Sequence, residues 1–150
     1  MKRRIAIQAV PAAFAACWAS SQAWGQPTEQ TMSQAIAKFT GGAAAQMGKV
    51  SIGISPLVDN GNAVPIDISV DHPQESDRFV RRIAIFNERN PQPDVAEFEL
   101  SPASGLAQVS TRIRLATTQK LVAIAQLSDG SFWMQSADVI VTLAACIEVE

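Results

Sequence analysis

The sequence predicts an all-β fold, an immunoglobulin-like antiparallel β-sandwich of about seven strands, with a short N-terminal helix before it and a C-terminal arm after it. Three observations carry that expectation. From Lys49 onward, apolar side chains recur at every second position, the period of a strand with one buried and one wet face. Clusters of Asn, Asp, Ser, Gly and Pro interrupt this alternation at short intervals, as turn residues do. No helical period returns after Gly41-Gly42, so the apolar faces must bury against one another as two sheets.

Residues 1–25 read as a signal peptide. Lys2, Arg3 and Arg4 precede an apolar run from Ile5 through Trp18, followed by small and polar residues. That is the layout of a secretory signal, with an apolar stretch too short for a stop-transfer helix. Ala23-Trp24-Gly25 puts small residues where a signal peptidase reads, and Ser21-Gln22-Ala23 is a second cut. The arginine pair also fits twin-arginine export, and Phe14-Ala15-Ala16-Cys17 resembles a lipoprotein box, so the route stays open. The expected destination is the periplasm.

Cleavage near residue 25 removes Lys2, Arg3, Arg4 and Cys17 while keeping all fourteen acids, which takes the formal charge from −2 to −5. A mildly acidic single domain without a basic patch is not a nucleic-acid binder. It also retains a single thiol, Cys146. An unpaired cysteine in an oxidising compartment points to an intermolecular partner or a reactive group.

Residues 26–48 form the helix and linker. "TEQTMSQAIAKFTGG" sets Met32, Ile36 and Phe39 at helical spacing and stops at Gly41-Gly42. The sandwich spans 49–143, with strands expected at 50–54, 64–70, 78–87, 95–100, 109–115, 120–127 and 137–143. Turns are expected at 59–62, 71–73, 90–93, 101–105 and 128–130. The arm is 144–150.

Most chemical constellations are absent from the sequence. His72, before Pro73 in a turn, is the one histidine, so an imidazole metal set or a Cys-His dyad would depend entirely on it. There is no Gly-rich phosphate loop and no C-x-x-C pair, and no cofactor is implied. Arg112 and Arg114 share one strand face, either solvated or meeting an anionic group. Asn60 and Asn62 read as turn residues with two amides available to a ligand. Phe132 and Trp133 read equally as a partner patch or as hairpin filling.

"DNGNAVPIDISVD" (59–71), "NPQPDVAEFELSPASGLAQVSTRIRLATTQKLVAIAQLSDGSFW" (90–133) and Val141-Thr142-Leu143 ahead of Cys146 resemble SoxY, the sulfur-carrier subunit of the periplasmic Sox thiosulfate-oxidation system. The resemblance runs from about Phe39 to Cys146. It implies an immunoglobulin-like sandwich paired as a heterodimer with a SoxZ-like subunit, and an arm whose cysteine holds sulfur intermediates covalently. The chain would then be no enzyme but a carrier, presenting thiosulfate-derived sulfur species on Cys146 to SoxAX-, SoxB- and SoxCD-like enzymes.

Ala144, Ala145 and Ile147 of the arm, with Glu148, stand where that family has glycines around the cysteine. Alanine and β-branched isoleucine stiffen the backbone relative to glycine, and Glu148 and Glu150 set carboxylates beside the sulfur. A second reading therefore stands beside the first, in which a SoxY-like scaffold pairs with a SoxZ-like partner without sulfur-transfer chemistry. In either case a carried group belongs on a thin tether held by few contacts. From Leu143, three extended residues would give Cys146 a reach of about 10 Å.

Overall fold

The computed structural model describes residues 30–145. The expected signal peptide with Cys17, and the arm from Cys146 through Ile147 to Glu150, lie outside the described residues. Helix α1 (Met32–Thr40) comes first. The Thr31 hydroxyl accepts the Gln34 N–H at 3.3 Å, and the Gln34 side-chain oxygen accepts the Thr31 N–H at 3.0 Å. This reciprocal pair satisfies amides that have no carbonyl a turn earlier. Gly41 ends the helix at φ 63°, its N–H donating to the Ala37 carbonyl, in a conformation that a Cβ would strain.

Nine strands follow: β1 (Ala45–Met47), β2 (Val50–Gly53), β3 (Leu57–Asn60), β4 (Val64–Val70), β5 (Val80–Asn87), β6 (Asp94–Glu99), β7 (Gln108–Ile113), β8 (Gln119–Leu127) and β9 (Phe132–Leu143). The larger sheet runs β1-β9-β8-β5-β6, with β3 also paired to β9, and the smaller runs β2-β4-β7. Between them, Val64, Ile66 and Ile68 of β4 share a core with Ile83 and Ile85 of β5, Leu121, Ala123 and Ala125 of β8, and Val139 of β9.

The two sheets differ because their outer faces do. Alternation is strict in β4, with Val64, Ile66, Ile68 and Val70 buried and the three residues between them exposed, since its outer face meets water. β5 and β8 are buried almost throughout because α1 covers the far face of the large sheet. Ala35 and Phe39 pack there on Ala84, Phe86, Val122, Ile124 and Phe132. Phe39 meets Phe86 and Phe132 edge-on at 5.8 and 5.9 Å between ring centres, a favoured aromatic geometry. The Arg82 guanidinium lies 4.6 Å from the centre of the Phe39 ring and is aimed by Glu97 and Gln126, at 2.7 and 2.8 Å.

All seven expected strands are present, and the all-β sandwich holds. Two short strands join them, and both depart from a purely antiparallel arrangement: β1 and β3 each pair with β9 in parallel. Asp59 and Asn60, expected in a turn, belong to β3, and the turn begins at Gly61. Four residues with Asp and Asn at their end carry no alternation to detect; their extended form is fixed by pairing with β9. β9 itself starts at Phe132 rather than 137: its first residues pack on both sides, Phe132 and Met134 toward α1 and Trp133 toward the inter-sheet core, so no clean alternation marks them.

Candidate functional site

The sequence directs attention to the place where the chain leaves the sandwich for Cys146. β9 brings the backbone there, with β3 alongside in the register Leu57↔Ile140, Val58↔Val141 and Asn60↔Leu143. The Thr142 hydroxyl ties the strands again by donating to the Asp59 carbonyl at 3.1 Å. Beyond Leu143 the chain does not run free at once. Ala144 is exposed, but Ala145 is buried, and its N–H donates to the Leu115 carbonyl at 3.2 Å.

Leu115 is the hub of this region. Its N–H donates to the Gly61 carbonyl at 2.8 Å, and the Gly61 N–H donates to the Leu143 carbonyl at 2.9 Å. Three segments far apart in sequence, around 61, 115 and 143–145, are thus stitched backbone to backbone. The approach is close enough to demand glycine. A Cβ on Gly61 would run into the Leu115 carbonyl oxygen and stand 3.0 Å from the Ala145 nitrogen and 3.2 Å from Val141 Cγ1.

Asn90 holds the hub from the other side. Its side-chain N–H donates to the Arg114 carbonyl at 2.9 Å, while its oxygen accepts the Ala116 N–H at 2.9 Å and the Gln119 amide at 2.8 Å. One amide therefore grips the backbone on both sides of Leu115. Asn87 and Gln119, both buried, extend the network: the Asn87 oxygen accepts the Asn90 N–H at 3.3 Å and the Gln119 oxygen accepts the Arg89 N–H at 2.9 Å. Buried amides satisfied in this way fix a single arrangement. Cys146 thus follows a held residue. A tether freed from Leu143 onward, rather than from Ala145, requires opening the Ala145–Leu115 hydrogen bond.

The remaining candidates fall in three places. Arg112 and Arg114 are exposed and line a groove of about 490 Å³ beside the hub. Asn60 turns inward on its own loop, its oxygen accepting from the Asn62 backbone at 2.9 Å and side chain at 3.0 Å, which shapes the bend into Gly61. Phe132 is core filling. Trp133 is half-buried, its ring N–H donating to the Ser131 hydroxyl at 3.2 Å and Lys49 standing 4.8 Å from its ring centre.

His72, at the Lys49 end of the sandwich, has its pKa held below 6.5, first by partial burial and then by the Lys49 charge. A histidine with a lowered folded pKa stabilises the fold above its unfolded value and loses that contribution as pH falls through the folded value. An NMR titration of its ring protons is expected to give a midpoint under 6.5; a midpoint above it would mean that nearby Asp129 outweighs burial. Among the described residues, no group of three or more His, Cys, Asp or Glu side chains could hold a metal ion, and no helix is long and apolar enough to cross a membrane.

Sequence reading missed the hub itself. Gly61 and Asn90 were visible only as turn residues and Leu115 only as the end of an alternating run. Nothing local announces that three such positions meet.

None of the curated proteins matches the chain. Among solved structures, the sulfur carrier protein SoxY from Chlorobium limicola f thiosulfatophilum is similar at 28% identity and a TM-score of 0.63, covering 73% of this chain and 90% of that one. A superoxide reductase (neelaredoxin) from Ignicoccus hospitalis follows at 19% identity and a TM-score of 0.56, over 63% of this chain and 80% of that one. A putative superoxide reductase from Thermotoga maritima has 19% identity and a TM-score of 0.54, over 69% and 89%. These last two share the fold alone. The family described as "Sulfur oxidation protein SoxY" matches residues 36–146, from inside α1 through the hub to the cysteine itself, and the chain belongs to that family.

Proposed function

We propose that this chain is a covalent sulfur carrier of thiosulfate or related sulfur-compound oxidation, with Cys146 as the attachment point. The observation that carries the reading is the extent of the family match, which runs along the sandwich and includes Cys146. The similar Chlorobium protein is itself described as a sulfur carrier. The chemistry suits a thiol: a thiolate is a good nucleophile, and the disulfide-like bonds it forms are exchangeable. The chain is then not itself an enzyme. It pairs with a SoxZ-like subunit in the periplasm and offers its loaded cysteine to SoxAX-, SoxB- and SoxCD-like enzymes in turn. Ala144, Ala145 and Ile147 shape the approach to those sites.

The test is intact mass measurement of the mature protein after exposure to thiosulfate and its partner system. A thiosulfate-derived mass increment is expected on the wild type and is expected to vanish in Cys146→Ser. A wild-type thiol that stays unmodified, while remaining open to a small alkylating reagent, would favour the scaffold reading, in which the sandwich pairs with a SoxZ-like partner and transfers no sulfur.

A further inference from the structure

The groove beside the hub has a composition that the carrier reading leaves unused. Its walls include the guanidinium-bearing Arg112 and Arg114 and the neutral amides of Asn87, Asn90 and Gln92, against one acid, Asp94. Among the described residues, neither arginine has a carboxylate at ion-pairing distance; the ion pairs present involve Arg78, Arg82 and Arg89. Two planar five-donor cations beside neutral rather than acidic neighbours make a surface for a small oxyanion. On an acidic protein, such a place is chemically distinct from its surroundings.

The position of the groove gives it a role. Arg114 directly precedes Leu115, and the Leu115 carbonyl holds the Ala145 N–H at 3.2 Å. Cys146 directly follows Ala145. The arginine and the cysteine are thus each one covalent step from the two ends of a single hydrogen bond. Asn90, which forms part of the groove wall, fixes the Arg114 carbonyl at 2.9 Å, so this edge of the groove and the start of the arm are held by the same network.

We infer that the groove lined by Arg112 and Arg114 is a binding site for the anionic, oxygen-rich end of a group carried on Cys146, of the thiosulfonate or sulfonate class. The inference rests on the carrier reading for its ligand, though the groove can be probed without it. In the docked state the two arginines offset the repulsion between that group and the acids that follow Cys146. Opening of the Ala145–Leu115 hydrogen bond then releases the loaded arm to a partner.

The experiment compares the alkylation rates of Cys146 in the mature chain with iodoacetate, which is anionic, and iodoacetamide, its neutral counterpart. Arg112→Gln together with Arg114→Gln is expected to lower the iodoacetate rate about fivefold, the factor for two unit charges about 4 Å apart in water, and to leave the iodoacetamide rate unchanged. Arg114→Lys, which keeps the charge and loses the fork, should fall between. Arg78→Gln, an exposed arginine paired with Glu75 away from the groove, should change neither rate. Millimolar sulfate, an oxyanion that does not react with either reagent, should slow iodoacetate selectively in the wild type alone.

An iodoacetate-to-iodoacetamide ratio that is the same in wild type and double variant overturns the inference, as does a thiol that neither reagent reaches. Carriage is read separately, by mass. An adduct that forms while the ratio is unmoved by the arginines removes the groove and leaves the carrier. A ratio that responds while no adduct forms removes the carrier and leaves an anion site.

Discussion

Gly61→Ala is expected to destabilise the folded chain by about 3 kcal/mol, near the upper end of the usual cost of forcing a methyl into a packed site. The new Cβ meets a backbone carbonyl rather than the end of a pliable side chain. That carbonyl has little room to withdraw, because Ala145 holds it directly and Asn90 holds the backbone on either side of it. Relief requires either that the segment around Leu115 shift, which breaks the Asn90 bonds, or that β3 swing away, which breaks the Gly61–Leu143 bond. In a thermal melt, this should appear as a fall of about 10 °C. Amide exchange at Ala145 should quicken in the same variant. A melting point within a degree or two of wild type would show that the three segments are not packed as tightly as their hydrogen bonds imply.

Asn90→Ala is expected to cost about 2 kcal/mol, since it leaves the Arg114 carbonyl, the Ala116 N–H and one bond of the buried Gln119 amide without protein partners. Partial exposure of Asn90 lets water restore some of these, which keeps the figure below that for Gly61. Asn90→Asp separates the two halves of the grip: it keeps an acceptor for Ala116 and Gln119 and loses the donor to Arg114, so its cost should be about 1 kcal/mol. Chemical denaturation gives each value. Both positions act through the one residue, so the double variant Gly61→Ala/Asn90→Ala should lose less than the sum of the singles. Strict additivity would mean that Leu115 does not couple them.

Much of the scaffold was legible because its signals are local. The strict alternation of β4, and the helical spacing of Met32, Ile36 and Phe39 stopped by Gly41-Gly42 around α1, depend on neighbours a few residues away. The family resemblance likewise rested on blocks whose order and spacing are written in the chain, and it led to the fold and the family together. The hub was not legible for the opposite reason. The meeting of Gly61, Leu115 and Ala145 is made by backbone hydrogen bonds; only Gly61 carries a residue-type requirement, and in the sequence it reads as an ordinary turn glycine, while the three positions share nothing in sequence. β3 was hidden likewise: Asp59 and Asn60 have the chemistry of a turn, and only the presence of β9 makes them a strand. Cysteine arithmetic directed attention to Cys146, but the hydrogen bond that holds Ala145 ahead of it was not legible, since alanine in the arm reads only as stiffer than glycine and not as bonded to a distant carbonyl.

The parallel seam between β3 and β9 also bears on the order of events as the chain folds. Neighbouring strands such as β5–β6 and β8–β9 can close as hairpins early, each across a short loop. The seam joins residues more than eighty positions apart, as between Thr142 and Asp59, and pairing of such separation is slow because a long loop must be ordered before any contact rewards it. Gly61, Leu115 and Ala145 cannot meet until that seam has formed. The root of the arm, at Ala145, is therefore among the last pieces laid down, on a body whose hairpins are already in place.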